Sequence, residues 1–278
     1  MAANRKLTYY REQKDFDLKP EKKPVTEHID TEESIPVIQT RTLPGYEKAE
    51  GVLSYNIVCV ISGGEHTERS FLQELIRQKN LHSLRVAFVS KEGQGLQPYQ
   101  MQDEWTKIQQ TKKFTSEGQR YKLDVADKVY LLSDVDEFYD QLVKIINEQS
   151  SSDVGQWIIS NPCFEIWLYY CFKNEPLTDL SCIEPLSVDK RSQKLKQLGQ
   201  SVVDGGFNPC LAFERMADGI SNSLEHYAED EHSIPVLFAT QMHQMAQYLV
   251  DTMNRNANEY DVFVKHKREW REKMRIGV

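Results

Sequence analysis

Four short apolar runs pattern residues 56–160. They are Asn56-Ile57-Val58-Cys59-Val60-Ile61, Leu84–Val89, Val129-Tyr130-Leu131-Leu132-Ser133 and Gln156-Trp157-Ile158-Ile159-Ser160. Each is apolar on consecutive residues and rich in β-branched or large side chains, as a strand covered on both faces requires. Between them the spacing changes from continuous to helical. Thr67 opens a segment with Phe71, Leu72, Leu75 and Ile76 on one face, Gln100–Gln110 is expected as a helix, and Glu137–Gln149 repeats the pattern with Phe138, Leu142, Ile145 and Ile146. Residues 111–124 are polar and are expected to be irregular. Strands alternating with helices predict an α/β fold with a parallel sheet.

In such a sheet every strand ends on the same edge, where ligands bind in open α/β folds. Three strand ends then converge: Gly63–Glu68, Asp134–Asp136 and Ser160–Glu165. Asp134 and Asp136 stand one residue apart where an apolar run stops. Two carboxylates so placed can hold a divalent cation through oxygen. Equally, Asp136 can simply cap the helix that follows. Gly63-Gly64 lets the backbone turn tightly into a helix but matches neither the dinucleotide nor the P-loop fingerprint. A small-molecule phosphotransferase would need such a loop.

Pro162 precedes Cys163-Phe164-Glu165-Ile166-Trp167-Leu168-Tyr169-Tyr170-Cys171-Phe172, which is apolar almost all round and reads as a buried helix. Glu165 is its exception. A buried carboxylate needs a cation, whether a bound ion or a core Lys or Arg.

The flanks differ. Residues 1–50 hold nine basic and ten acidic residues, with Pro20, Pro24, Pro36 and Pro44, and read as an extended or partly disordered arm. After an α/β core over 51–175, residues 176–278 read as a helical appendage with helices near 186–199, 210–228 and 236–254. Its first helix carries Lys190, Arg191, Lys194 and Lys196, and the tail carries Lys265, Lys267, Arg268, Arg271, Lys273 and Arg275. Such residues either meet phosphates or form solvated helix faces.

Composition adds limits. The 278 residues are 40% hydrophobic and 27% charged, as in a folded soluble protein. No run approaches a membrane span, and the N-terminus lacks a signal-peptide core, so the cytoplasm is the expected location. Five cysteines without a C-x-x-C pair and seven scattered histidines support neither a disulfide framework nor a zinc site. A net charge of −8 opposes broad, non-specific nucleic-acid binding but leaves room for a local basic surface.

Three motifs occur in a fixed order: Gly63-Gly64-Glu65-His66-Thr67-Glu68 with Phe71, then Ser133-Asp134-Val135-Asp136, then Ser160-Asn161-Pro162-Cys163-Phe164-Glu165-Ile166-Trp167-Leu168. Together they resemble the RloB family of bacterial proteins, whose core looks like a Toprim domain. The third string is the most specific. The resemblance implies a four-stranded parallel sheet flanked by helices and Mg²⁺ (or Mn²⁺) held by acids at the strand ends. It also implies nuclease activity in anti-phage or abortive-infection systems, often beside an AAA- or ABC-type ATPase. Asp134 and Asp136 match the family's Asp-x-Asp. The family's first glutamate falls on Gly63 here, leaving Glu65 or Glu68 to supply the third carboxylate.

The leading expectation is therefore a metal-dependent nuclease acting on RNA or DNA. Asp134 and Asp136 would hold metal, Glu65 or Glu68 would complete the ligand set or orient a water, and Lys190, Arg191 and Lys194 would guide the nucleic-acid backbone. His66, Asn161 and Glu165 are further candidates at the same edge; His66 could act as a general acid or base, though a lone His there is more often a surface residue. The alternative is a catalytically weakened Toprim-like module that binds a partner protein or nucleotide.

Overall fold

The computed structural model describes residues 56–77, 84–91, 95–148 and 155–255, with isolated positions at 265, 268, 269 and 272. The N-terminal arm, and the C-terminal tail but for Arg255 and those four positions, lie outside the described residues. The described residues from 56 onward belong to one compact unit.

Four strands form a parallel sheet: β1 (Asn56–Ser62), β2 (Leu84–Val89), β5 (Lys128–Asp134) and β6 (Gly155–Ser160), in the order β2-β1-β5-β6. Register pairs Ile61 with both Val89 and Leu131, and Asp134 with Ser160, so the strand ends are nearly level. The four expected apolar runs are these four strands. Both sheet faces are covered, which explains the continuous apolar pattern. Val58, Val60, Val86, Tyr130, Leu132 and Ile158 face one layer; Ile57, Cys59, Ile61, Ala87, Val129, Leu131, Trp157 and Ile159 face the other.

The first layer contains α1 (Thr67–Arg77) and α4 (Glu165–Tyr170), together with α7 (Pro209–Phe213), α8 (Met216–Glu225) and α9 (Met242–Asn254). Phe71 of α1 meets Phe164, Trp167 and Phe213 edge-on, at centroid distances of 5.7 to 6.0 Å. Helices α7 to α9 thus share the sheet's own core. Val58, Val60 and Tyr130 need a cover on this side, and Met216, Met242, Met245 and Leu249 supply it.

The second layer holds α2 (Pro98–Thr111) and α3 (Tyr139–Glu148). The stretch 111–124 is not irregular. It forms an antiparallel hairpin, β3 (Lys113–Ser116) and β4 (Gln119–Lys122), turning at Glu117 and Gly118, both with positive φ. Its inner residues Phe114 and Tyr121 stack at 5.1 Å and join this core. The hairpin follows a period of two that its many charged residues conceal.

Two further expectations shift. The helix expected over 210–228 is split into α7 and α8. The one expected over 236–254 begins only at Met242, because the chain before it turns at Leu237 and Phe238 (φ +69°) and then bridges Thr240 to Ser160. A small third core around Cys163, Ile166, Tyr169 and Tyr170 is closed by α5 (Pro176–Asp179) and α6 (Val188–Val202) through Leu180 and Leu195.

Candidate acidic site

β1 and β5 are neighbours, yet the helices they lead into diverge. α1 packs on the first layer and α3 on the second. A crevice must open between the two strand ends. It is a cleft of about 290 Å³, lined by Gly63–Glu68, Ser133, Asp134, Asp136, Phe138, Glu165 and Lys196.

The loop after β1 is tightly set. Gly63 donates its N–H to the Leu132 carbonyl at 2.9 Å, holding β1 against β5 beyond the last strand residue. A Cβ on Gly63 would stand 3.1 Å from the Leu96 carbonyl oxygen, so a glutamate here would have to displace that loop. The loop cannot easily retreat: Gly95, with φ of +67°, packs directly on the Gly63 carbonyl. A carboxylate reaches this loop from α1. Glu68 is 6% exposed, and its carboxyl folds back over Gly64, where an added Cβ would lie 2.0 Å from Oε1. Glu65 lies further toward the mouth, 3.9 Å from the exposed His66.

Asp134 ends β5 and accepts a hydrogen bond from the Phe164 N–H at 2.8 Å. Asp136 follows in a left-handed conformation, φ +26°, which Asp tolerates better than most residues. It opens a short 3₁₀ turn but caps nothing with its side chain. Its N–H reaches the Pro162 carbonyl at 3.2 Å and its carboxylate accepts from the Ser192 hydroxyl on α6. The side chain is thereby turned into the cleft. Glu165, 7% exposed, faces Lys196 with Oε2 to Nζ at 3.8 Å. Its cation is thus a lysine from α6, a residue 31 positions away in sequence.

Electrostatics register the crowding. Burial, then Glu68, Glu165 and Asp136, hold Asp134 well above the ordinary carboxylate range, with Lys196 partly offsetting them. Burial pushes Glu68 up to about 7 against its own backbone N–H, and Glu165 adds to the rise. Asp136 is raised by burial, with the Ser192 hydroxyl and Lys196 opposing. For Lys196, burial would lower the value, but Glu165, Cys163 and the two aspartates raise it overall.

The other sequence candidates fall elsewhere. Asn161 does not line the cleft. It clasps the turn-containing 235–240 stretch, donating from Nδ2 to the Pro235 carbonyl at 2.8 Å and making backbone hydrogen bonds with Phe238 and Ala239. Arg191 is engaged by the carbonyls of Leu186 and Glu184, while Lys190 is exposed and Lys194 half-buried away from the lining. Of the four basic residues on α6, Lys196 is the one that enters the cleft, beside Ser192. The i, i+4 relation of Ser192 and Lys196 was the available signal.

Oxygen donors alone suit a hard cation such as Mg²⁺ or Mn²⁺. Their chemistry fits, and the mutual repulsion of Glu68, Asp134 and Asp136 is what a bound cation relieves. As placed, no three His, Cys, Asp or Glu side chains among the described residues converge on one ion position.

Residues 57–261 match the family described as RloB-like protein. The chain belongs to the RloB-like family. The match spans the sheet, the acidic cleft and the helices that close it, so the C-terminal helices are part of the family's body. No curated protein and no solved structure matches the chain. No helix among the described residues is long and apolar enough to cross a membrane.

Proposed function

We propose that this RloB-like chain is a metal-dependent nuclease of Toprim type, cleaving phosphodiester bonds of RNA or DNA in the acidic cleft. One observation carries the reading. Glu68, Asp134, Asp136 and Glu165 reach one cleft from three separate strand ends, with Lys196 as the lysine among its lining residues. A structural role for so many close carboxylates is costly, because each added charge disfavours the others.

Asp134 and Asp136 would hold Mg²⁺ or Mn²⁺, with Glu68 as the third carboxylate in place of Glu65. Bound there, the cation would acidify a water and neutralise charge on the scissile phosphate. The protein's own groups prepare that chemistry. The Phe164 N–H and the Ser192 hydroxyl fix the two aspartates. Glu65 and His66 stand at the mouth. Lys196 Nζ, positively charged and half-exposed, is placed to meet a phosphate oxygen once Glu165 releases it.

The fit is tested by titrating MnCl₂ or MgCl₂ into the metal-free protein by calorimetry and following cleavage of labelled RNA and DNA. Wild type is expected to bind and cleave, and Asp134→Asn to do neither. Full cleavage by Asp134→Asn would sink the assignment. A second reading, a Toprim-like module that binds without cleaving, is favoured by Gly63 and by the lack of a preformed three-carboxylate geometry. Cation binding without cleavage of any nucleic acid would select it. From the family resemblance we extend the first reading to anti-phage defence beside an AAA- or ABC-type ATPase, which co-purification would test.

A further inference from the structure

The β3–β4 hairpin carries a second feature that the cleft does not use. Its faces segregate completely. Phe114, Tyr121 and Ser116 point inward and are buried, while Lys113, Thr115, Arg120 and Lys122 are exposed. The cross-strand register places Lys113 directly opposite Lys122, and Thr115 opposite Arg120. Like charges directly opposite on a two-stranded ladder destabilise it. Lys112 adds a further exposed cation at the hairpin's base. Among the described residues none of Lys113, Arg120 and Lys122 forms an ion pair. Apart from Glu117 at the tip, which pairs with Arg69, the hairpin's charged side chains are all cations, on a chain of net charge −8.

The hairpin is also fixed in place. The Ser116 hydroxyl donates to the Phe88 carbonyl at 2.7 Å and accepts from the Phe88 N–H at 3.1 Å, clamping the hairpin to the edge strand β2. At the tip, Glu117 pairs with Arg69 of α1. Between tip and sheet lies a second cavity of about 360 Å³, lined by Arg69, Phe88, Val89, Thr115 and Glu117, and also by Glu65. Glu65 lines the acidic cleft too, so the two spaces adjoin.

We propose that the outer face of this hairpin is a docking surface for the phosphate backbone of a nucleic acid, which passes the Arg69 cavity to reach the acidic cleft. The proposal rests on the nuclease reading for what happens in the cleft, but the surface is defined by its own charge. Backbone contacts of this kind position a strand and carry no sequence information. They replace the role first expected of Lys190, Arg191 and Lys194, two of which lie exposed or half-buried off the lining while the third is bound to carbonyls. Arg69, released from Glu117, becomes the next cation along the path.

The test is fluorescence anisotropy with a labelled 30-nucleotide RNA and a DNA duplex of matching sequence, in EDTA so that neither metal nor cleavage enters. Wild type is compared with Lys113→Glu/Arg120→Glu/Lys122→Glu, with the milder Lys113→Gln/Arg120→Gln/Lys122→Gln, and with Lys190→Glu/Lys194→Glu. All substituted side chains on the hairpin are exposed, so circular dichroism should match wild type. The hairpin variants are expected to bind about tenfold or more weakly near physiological salt. Their log–log salt slope should be smaller by roughly two to three, as for the loss of three phosphate contacts. The Lys190/Lys194 variant should bind as wild type does. Unchanged affinity and slope in the Gln variant, or no binding of either nucleic acid by wild type at low salt, would overturn the proposal. Failure of Asp134→Asn to affect cleavage would instead remove the nuclease site and leave this surface standing.

Discussion

The Asp134 carboxylate accepts the backbone N–H of Phe164 at 2.8 Å. This bond joins the end of β5 to the turn after β6, and so joins two motifs separated by 23 residues of other chain. The Cys163-Phe164-Glu165 turn therefore orients the first aspartate while it delivers Glu165 to the same cleft. It also explains why Asp134 is fixed although it ends a strand rather than starting a helix.

Replacing Asp134 by Asn keeps an oxygen for Phe164 but removes a charge that its neighbours oppose. Asp134→Asn is expected to fold and, without metal at pH 8, to melt at or above the wild-type temperature. Cation binding and cleavage should fall about a hundredfold or more. Calorimetry and a cleavage assay on the same preparation check both halves; a variant that melts far lower would show the aspartate to be structural.

The folded protein holds the Glu68 proton up to about pH 7, whereas the ordinary value is 4.5. Between those limits the native state binds more protons than the unfolded chain, so stability falls as pH rises through that window. Metal-free wild type should lose several degrees of Tm from pH 5 to pH 8, at roughly 2–4 °C per kcal/mol for a chain of about this size. Glu68→Gln should flatten most of that slope, and added Mn²⁺ should restore wild type at pH 8 through preferential binding to the native state. Differential scanning fluorimetry across pH reads all three.

Gly64 is the seat of the Glu68 carboxyl. Gly64→Ala places a methyl about where the Glu68 carboxyl now lies, and the end of the glutamate side chain gives way rather than the backbone. The expected result is a stable protein with weakened cation binding and about tenfold less cleavage. Glu68→Gln/Gly64→Ala should be no worse than Glu68→Gln alone, since both act on one group.

Lys196 lies opposite Glu165 at 3.8 Å and its side chain is half-exposed. Glu165, however, is buried, so Lys196→Met leaves a buried carboxylate without its cation and should lower Tm by a few degrees. The same variant should cut kcat about tenfold or more. Removing it also takes away a charge that lowers the values of Asp134, Asp136 and Glu68, so the pH at which cation binding half-develops should move upward. Lys196→Arg should recover part of the turnover. A Tm fall with unaltered kcat would make the lysine a purely structural partner of Glu165.

Much of the architecture was legible because burial writes itself into the sequence. Four consecutive-apolar runs became the four strands of a parallel sheet, since a strand covered on both faces has no polar side to show. The carboxyl-edge location of Asp134 and Asp136 followed from that alternation. The hairpin at 113–122 was not legible, because its four-residue strands alternate charged and buried positions too briefly to separate from loop. Nor was the split of residues 210–228 into two helices, nor the close seat of α8, where an added Cβ at Gly219 would lie under 3 Å from Trp167 and Cys171.

The sequence by itself determined the sheet, the edge on which its chemistry gathers and the two aspartates of its central strand. Periodicity and strand polarity are local properties, and both are written along the chain. The tertiary structure alone decided which other groups face those aspartates. It seats Glu68 over Gly64, closes position 63 with Leu96 and Gly95, turns Asp136 toward Ser192, and brings Lys196 to Glu165. Each of these depends on how two distant segments pack, and a contact between distant segments leaves no period in a single sequence.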